Sequence, residues 1–350
     1  MPKNLSNAQL AELLAREAEQ QEGIRQRAFR RAARAAFLWP EEAADLVAAG
    51  RSLGELAGIG PFLSAQIRRW FDSPPQPMRA SPLRRDFLTR AEARRILAAQ
   101  PDWAKRLRGD LQMHTQWSDG SGTIVAMANA AEARGYEYIA ITDHSKGLKI
   151  AGGIDEQTLA RQGDEIDAWN AANRGAGVRV LRSIELNLNP RGAGDMNPHS
   201  LGKLDLVLGS FHSSLRTTED QTARYLAALR HPQLDILGHP RGRIYNFRLG
   251  LQADWPRVCA AAAKQEKALE IDCYPDRQDL NVSLLKIARA EGVLISLGTD
   301  AHHPWQLEFI ELGLAAAWQA RISADRIINF LPLAQLQRWV GRRALLSEKA

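Results

Sequence analysis

Cysteine is nearly absent from this chain. Its 350 residues include only Cys259 and Cys273, too few for a disulfide framework or a thiolate zinc cage, so any metal must be held by histidine and carboxylate side chains. A reducing, cytoplasmic setting is expected. Long apolar runs are missing too. No stretch reaches the ~18 residues that a membrane span requires, and the polar segment Met1 to Leu10 lacks the apolar core of a signal peptide. A soluble protein with no membrane partner follows. The 45% hydrophobic content excludes a fully disordered chain and suffices for one large barrel domain plus a small accessory domain, or for two ordinary domains.

The formal net charge of +6 is spread unevenly. Residues 1–109 hold 19 Lys+Arg against 12 Asp+Glu, whereas the remainder holds 27 against 28. A basic first third attached to a near-neutral remainder fits a module that meets a polyanion, and equally a solvated basic surface.

Apolar residues recur at helical spacing from Asn7 to Arg34, which predicts two helices; a third spans about Pro40 to Ala49 and a fourth Leu63 to Phe71. The stretch Ser73-Pro74-Pro75-Gln76-Pro77 has linker composition. A basic helix, Thr89 to Gln100, comes next. Beyond it, short apolar runs alternate with helical segments. The candidate strands are Arg108 to Met113, Tyr136 to Thr142, Val178 to Ile184, Leu204 to Ser210, Leu234 to Gly238, Ala268 to Ile271 and Val293 to Leu297. Seven parallel βα units suit a closed barrel, with a doubly wound sheet as the alternative.

Metal-ligand residue types follow these strands: Gln112-Met113-His114 with Asp119, Asp143-His144, Glu185, His212, His239, and Asp300-Ala301-His302. In a parallel barrel the loops at the carboxyl ends of the strands converge on one face, so these residues would share a pocket. Six of the eight histidines fall in such loops, all but His199 and His231. A mixed imidazole and carboxylate set suits Zn²⁺, Mn²⁺ or Fe, and closely spaced cations suit phosphoryl chemistry. Arg241 and Arg243, beside His239, are candidates to clamp phosphate oxygens, and Lys146 is a further one.

The motifs Asp110-Leu111-Gln112-Met113-His114-Thr115, Ser118-Asp119-Gly120, Thr142-Asp143-His144-Ser145, Ile184-Glu185, Gly209-Ser210-Phe211-His212-Ser213, Gly238-His239-Pro240 and Thr299-Asp300-Ala301-His302 resemble, in order, those of the PHP (polymerase and histidinol phosphatase) family. The resemblance covers about residues 108–340 and implies a distorted (β/α)7 barrel with a trinuclear metal centre. By that resemblance His114, Glu185 and Asp300 hold the first metal. Glu185 bridges to a second held by His212 and His239, and Asp119, His144 and His302 hold the third. The family's first motif usually reads His-x-His, and here Gln112 stands in its first position. An amide oxygen is the poorer donor, so weaker binding at the first site is expected.

Leu56-Ala57-Gly58-Ile59-Gly60 before Ser64 and Ile67 resembles a helix-hairpin-helix motif, in which Gly58 and Gly60 would let backbone N–H groups meet a DNA phosphate. Together with Arg25 to Arg34 it resembles the small amino-terminal domain of family X DNA polymerases. There is no room between Phe71 and Arg108 for a polymerase palm, and Gln66 stands where lyase-active members have their lysine. The expected organisation is α/β. A helix-hairpin-helix domain (1–72) is followed by a linker with a basic helix (73–107) and a PHP phosphoesterase domain (108–350). The expected function is metal-dependent hydrolysis of DNA phosphoesters, independent of sequence and using three divalent ions, as in 3′–5′ exonuclease or 3′-end processing in repair. A small-molecule phosphatase of the histidinol-phosphatase type and a DNA-binding protein with a degenerate site are the alternatives.

Overall fold

The computed structural model describes residues 5–76, 79–175 and 177–347. Met1 to Asn4 of the polar amino terminus and Pro77 of the linker stretch lie outside the described residues. Four helices build the first module: α1 (Asn7–Gln20), α2 (Gly23–Ala35), α3 (Ala43–Ala48) and α4 (Pro61–Asp72). A capping box between Ser6 and Gln9 starts α1 by satisfying amides that the helix itself leaves free. Gly58 takes φ +81° in the turn before α4, and Gly60 caps that helix, with Pro61 in its first turn. Leu10, Leu14, Phe29, Trp39, Leu46, Leu53 and Ile67 meet in the module's core. The Trp39 indole donates to the Ala57 carbonyl at 3.0 Å, which ties the helical layer to the glycine turn.

The second part is an α/β fold with wholly parallel strands. β1 (Gly109–Asp110), β2 (Tyr138–Ile141) and β3 (Arg179–Arg182) form one sheet; β4 (Glu185–Leu188), β5 (Leu208–Phe211), β6 (Ile236–Leu237), β7 (Ala268–Asp272) and β8 (Leu294–Gly298) form the other. β3 and β4 are two halves of one bent strand, the first half paired with β2 and the second with β5. Further bridges join His144 to Glu185 and Met113 to Ala301. Seven strands thus form a ring whose first member meets its last, consistent with a barrel of the PHP type. Helices lie between the strands, as the alternation of apolar runs with helical segments predicts, for example Glu156–Ala172 and Trp255–Lys264. No helix among the described residues is long and apolar enough to cross a membrane.

From Arg84 onward the segment expected as a linker is part of the barrel's flank. Leu88, Ala93 and Trp103 lie in the largest core, and the Trp103 indole donates to the Leu314 carbonyl at 3.0 Å. The Gln278 amide bonds both backbone groups of Leu88 at 2.8 Å. The helix α5 (Arg90–Ala98) buries Ala91 and Ala93, while Arg90 and Arg94 each meet Glu311 at 3.0 Å. An amphipathic helix this close to an apolar barrel wall buries its small residues there and turns its basic face to carboxylates. The barrel also reaches back. Tyr245, in the loop after β6, belongs to the first module's core, with its ring 4.7 Å from Phe37.

Candidate metal centre

Glu185 opens β4 just past the end of β3, every other candidate ligand lies beyond the carboxyl end of a strand, and buried carboxylates hold those ends together. Asp110 accepts the amides of Gln112 and Thr299, at 3.2 and 3.1 Å, and so joins the ends of β1 and β8. Asp143 accepts from the Thr115 amide and hydroxyl, at 2.8 and 2.6 Å, and from Gln162 at 2.6 Å. The loop carrying Asp119 is thereby folded onto the end of β2. Gly120 permits that close approach, since a Cβ there would meet the His114 carbonyl at 2.5 Å. His239 and Asp300 both have positive φ, 22° and 52°. Such backbone is uncommon for side-chain-bearing residues and clusters where a site over-determines it.

Glu185 is the centre of the arrangement. Its Oε1 lies 2.7 Å from His239 Nε2 and 3.3 Å from His212 Nε2, and its Oε2 lies 2.9 Å from His144 Nδ1 and 3.5 Å from His114 Nε2. Asp300 is 2.9 Å from His114 Nε2. Asp119 stands 3.5 Å from His144 and 3.4 Å from His302, forming a more open arm. Eight side chains therefore meet, drawn from six strand ends. Their ligand atoms form two groups, His114/Asp119/His144/His302 and His144/Glu185/His212, within 4.8 Å of one another in each.

The ring orientations suit ligation. His212 Nδ1 faces the Asn187 amide oxygen at 3.1 Å and His302 Nδ1 the Asp300 carbonyl at 2.7 Å, so each Nε2 is left to point inward. Burial works to raise the Glu185 pKa, yet the His144, His212 and His239 imidazoles pull it well below the usual carboxylate range. Burial, reinforced by the neighbouring His144 and His302, drives His114 well below its usual value, so it stays a neutral donor. Both nitrogens of His114, Nδ1 of His144 and Oε2 of Glu185 are buried and, though they approach one another and Asp300, make no well-aligned hydrogen bond. Unsatisfied lone pairs concentrated around an anion are costly unless cations complete the site, and this donor set fits divalent metal.

The Gln112 side-chain amide lies against the Glu270 carboxyl, and its nitrogen turned that way donates to it at 2.9 Å. Burial and the adjacent Asp272 raise the Glu270 pKa well above normal, and Asp272 itself is pushed up to about 7 by burial against the pull of Arg277. Gln112 is thus engaged behind the site. Restoring imidazole by Gln112→His is expected to tighten metal binding about tenfold, the scale on which ligand-sphere changes act. Metal titration and elemental analysis read this directly; unchanged affinity and stoichiometry would rule it out.

The three cationic side chains expected to hold phosphate are committed elsewhere. Arg243 is buried, donates to the carbonyls of Arg277 and Asp86 at 2.7 Å each, and lies 3.7 Å over the Phe87 ring. Arg241 donates to the Leu249 carbonyl at 2.7 Å, and Lys146 pairs with Glu156 at 2.7 Å on the surface. Arg241 braces its own loop, and Arg243 ties that loop to two other segments, because loop carbonyls have no strand partner to satisfy them. The cation at the cluster is Arg277, which contacts Asp300 and lies 3.6 Å from Asp272. Sequence reasoning assigns it no role, although it lies in the loop after β7, where strand-end logic would look. Asn187 and Glu270 were missed for the same kind of reason, being strand residues that face inward. Gly58 and Gly60 lie in the separate amino-terminal module.

A family model described as "PHP domain" matches residues 110–293. The chain belongs to the PHP domain family. Its PHP domain carries all eight clustered side chains except Asp300 and His302 within the matched residues, and those two close the ring through β8. The DNA polymerase/3′-5′ exonuclease PolX of Bacillus subtilis is 35% identical over 238 residues, covering 68% of this chain and 41% of that protein. The chain therefore matches less than half the length of the Bacillus protein. A probable phosphatase of Thermoanaerobacter sp. (strain X514) is 27% identical, covering 63% of this chain and 89% of its own. A solved histidinol phosphate phosphatase of Lactococcus lactis superposes with a TM-score of 0.47 at 19% identity, covering 61% of this chain and 93% of that one. Family and cluster together make this PHP domain a metal-dependent phosphoesterase.

Proposed function

We propose that this phosphoesterase hydrolyses phosphoester bonds at DNA ends, as a 3′–5′ exonuclease or 3′-end-processing enzyme in repair. The observation that carries the proposal is the Glu185 carboxylate shared by four imidazoles, with the Asp119/His302 arm beside it. Likeness to the Bacillus exonuclease, and a basic module packed on the same domain, support DNA as the substrate. Three divalent ions, Zn, Mn or Fe, are assigned to His114/Glu185/Asp300, to Glu185/His212/His239 and to Asp119/His144/His302. When bound, such ions lower the pKa of water and neutralise phosphate charge. The chain's own residues orient this set: Asn187 and the Asp300 carbonyl fix two rings, and Asp110 and Asp143 fix the loops. Arg277, which contacts Asp300 at the cluster, takes the phosphate-holding role in place of Arg241 and Arg243; Asp300 would be shared between it and a bound ion. Gly58 and Gly60 dock the backbone phosphate of DNA without reading its sequence.

A 5′-labelled, 3′-recessed duplex incubated with Mn²⁺ or Zn²⁺ tests the proposal beside the His212→Ala variant. A ladder shortening from the 3′ end, abolished by the substitution, is the expected result. The second reading, a small-molecule phosphatase, is favoured by the probable phosphatase whose length is 89% covered. Turnover of a small phosphomonoester without any action on DNA would select it.

A further inference from the structure

The arginines of α2 differ from three that hold the module together. Arg84 and Arg51 are each paired with two glutamates and Arg16 with one. By contrast Arg27, Arg30, Arg31 and Arg34 are exposed and, among the described residues, meet no carboxylate. Their spacing puts all four on one side of the helix, opposite Phe29 and Ala32, which are buried. Like charges in a row repel one another, so this face is poorly suited to standing alone.

That face lines a cleft of about 690 Å³, whose other wall is the barrel loop carrying Tyr245, Asn246 and Phe247. A second cleft, of about 340 Å³, shares Arg34 and Tyr245 with the first and runs on to Tyr274, Trp305 and Gln306. The two clefts adjoin at Arg34 and Tyr245 and form one groove. Its far end lies beside the metal centre: the Gln306 side chain accepts from the His302 amide at 2.6 Å, and Arg277 lies over the Tyr274 ring. Phe247 is 52% exposed and Trp305 48%, and the Arg216 guanidinium sits 4.5 Å from the Phe247 ring. Asp276 is the one carboxylate among the residues lining the two clefts.

A cationic track interleaved with exposed aromatic faces is what a single polynucleotide strand needs. Its phosphates meet the arginines and its unpaired bases stack on the rings, whereas duplex bases are already stacked and cannot reach them. We infer that the groove between α2 and the barrel binds single-stranded DNA and leads its 3′ end to the Asp119/His302 arm of the metal centre. This rests on the DNA-end reading above and adds to it the form of the substrate and its path. The groove exists only because the helical module packs directly on the barrel through Tyr245 and Arg84.

The test uses the full chain in chelator, so that binding is measured without cleavage. Fluorescence anisotropy of a labelled 12-nucleotide oligo-dT is compared with that of a blunt duplex of equal length. The strand is expected to bind about tenfold more tightly than the duplex. The double variant Arg30→Glu/Arg31→Glu should weaken strand binding by about tenfold or more and flatten its salt dependence by roughly one to two in the log–log slope. Phe247→Ala with Trp305→Ala should weaken it by roughly tenfold at an unchanged slope, because stacking releases no counterions. Both variants should keep the wild-type circular dichroism and a thermal midpoint within a few degrees of wild type, which shows that they fold. Variants that bind oligo-dT as wild type does, or a wild type that prefers the duplex, would overturn the groove and leave the nuclease reading standing. Wild-type protein that binds the strand through these residues yet never digests it would overturn the nuclease reading and keep the groove.

Discussion

Glu185→Gln is expected to lower kcat for phosphoester hydrolysis by about 10³-fold or more, since metal-derived stabilisation is worth several kcal/mol and each 1.4 kcal/mol is tenfold. The substitution keeps the side chain's volume and removes its charge. Four imidazoles then face a neutral amide, and the two oxygens that approach His239 and His212 on one side and His144 and His114 on the other no longer draw cations between them. Metal content measured on the purified variant should fall with the rate. The thermal midpoint of the metal-free protein should not drop by more than a few degrees, because the removed charge was buried among groups left unsatisfied. Activity within tenfold of wild type would show that Glu185 is not the centre of the reaction.

Arg84→Met is expected to cost about 3–5 kcal/mol of stability, the usual penalty for breaking one side of a buried ion pair. The Arg84 side chain is only 5% exposed. Its guanidinium donates to Glu12 through two nitrogens, at 2.8 and 3.0 Å, to Glu19 at 2.5 Å, and to Asn246 of the barrel loop at 2.8 Å. One side chain thereby joins α1, the segment before α5 and the barrel. Urea unfolding should show a lower midpoint, and a loss below 1 kcal/mol would mean that the apolar contacts around Tyr245 hold the modules by themselves. The same pair gives a pH dependence. Burial is the largest influence on Glu12 and raises its pKa, but Arg84 and Arg16 together hold it below its usual 4.5. A carboxylate depressed on folding adds stability that is full above about pH 4.5 and is lost as the pH falls through the folded-state value. Wild-type stability should decline on acidification through that window, and the decline should be shallower in Arg84→Met.

Much of the site could be read in the chain because strand-end chemistry is local. His114, His144, Glu185, His212, His239 and Asp300 each follow a candidate strand, and a parallel barrel carries all such ends to one face. What could not be read is the use of residues whose role depends on what lies across from them. Arg241 and Arg243 have the residue type of a phosphate clamp, yet the partners that claim them are Leu249 of the same loop, Arg277 of the loop after β7, and Asp86, more than 150 positions earlier. Arg277 has no motif around it, and only the closed ring brings it to Asp300.

The segment around Trp103 shows the same division. Its basic helix and Pro-rich approach have the composition of a tether, and composition carries no information about whether a neighbouring surface is apolar. Local sequence by itself determined the strands, the helices and the chemical type of each strand-end side chain, because hydrophobic period and residue identity act within a few positions. Only the tertiary structure decided that α5 flanks the barrel, that Tyr245 joins the helical core, and that the exposed arginines of α2 face a groove whose far end lies beside the metal centre. Those outcomes depend on contacts between residues far apart in sequence, whose free energy is set by packing and not by local preference.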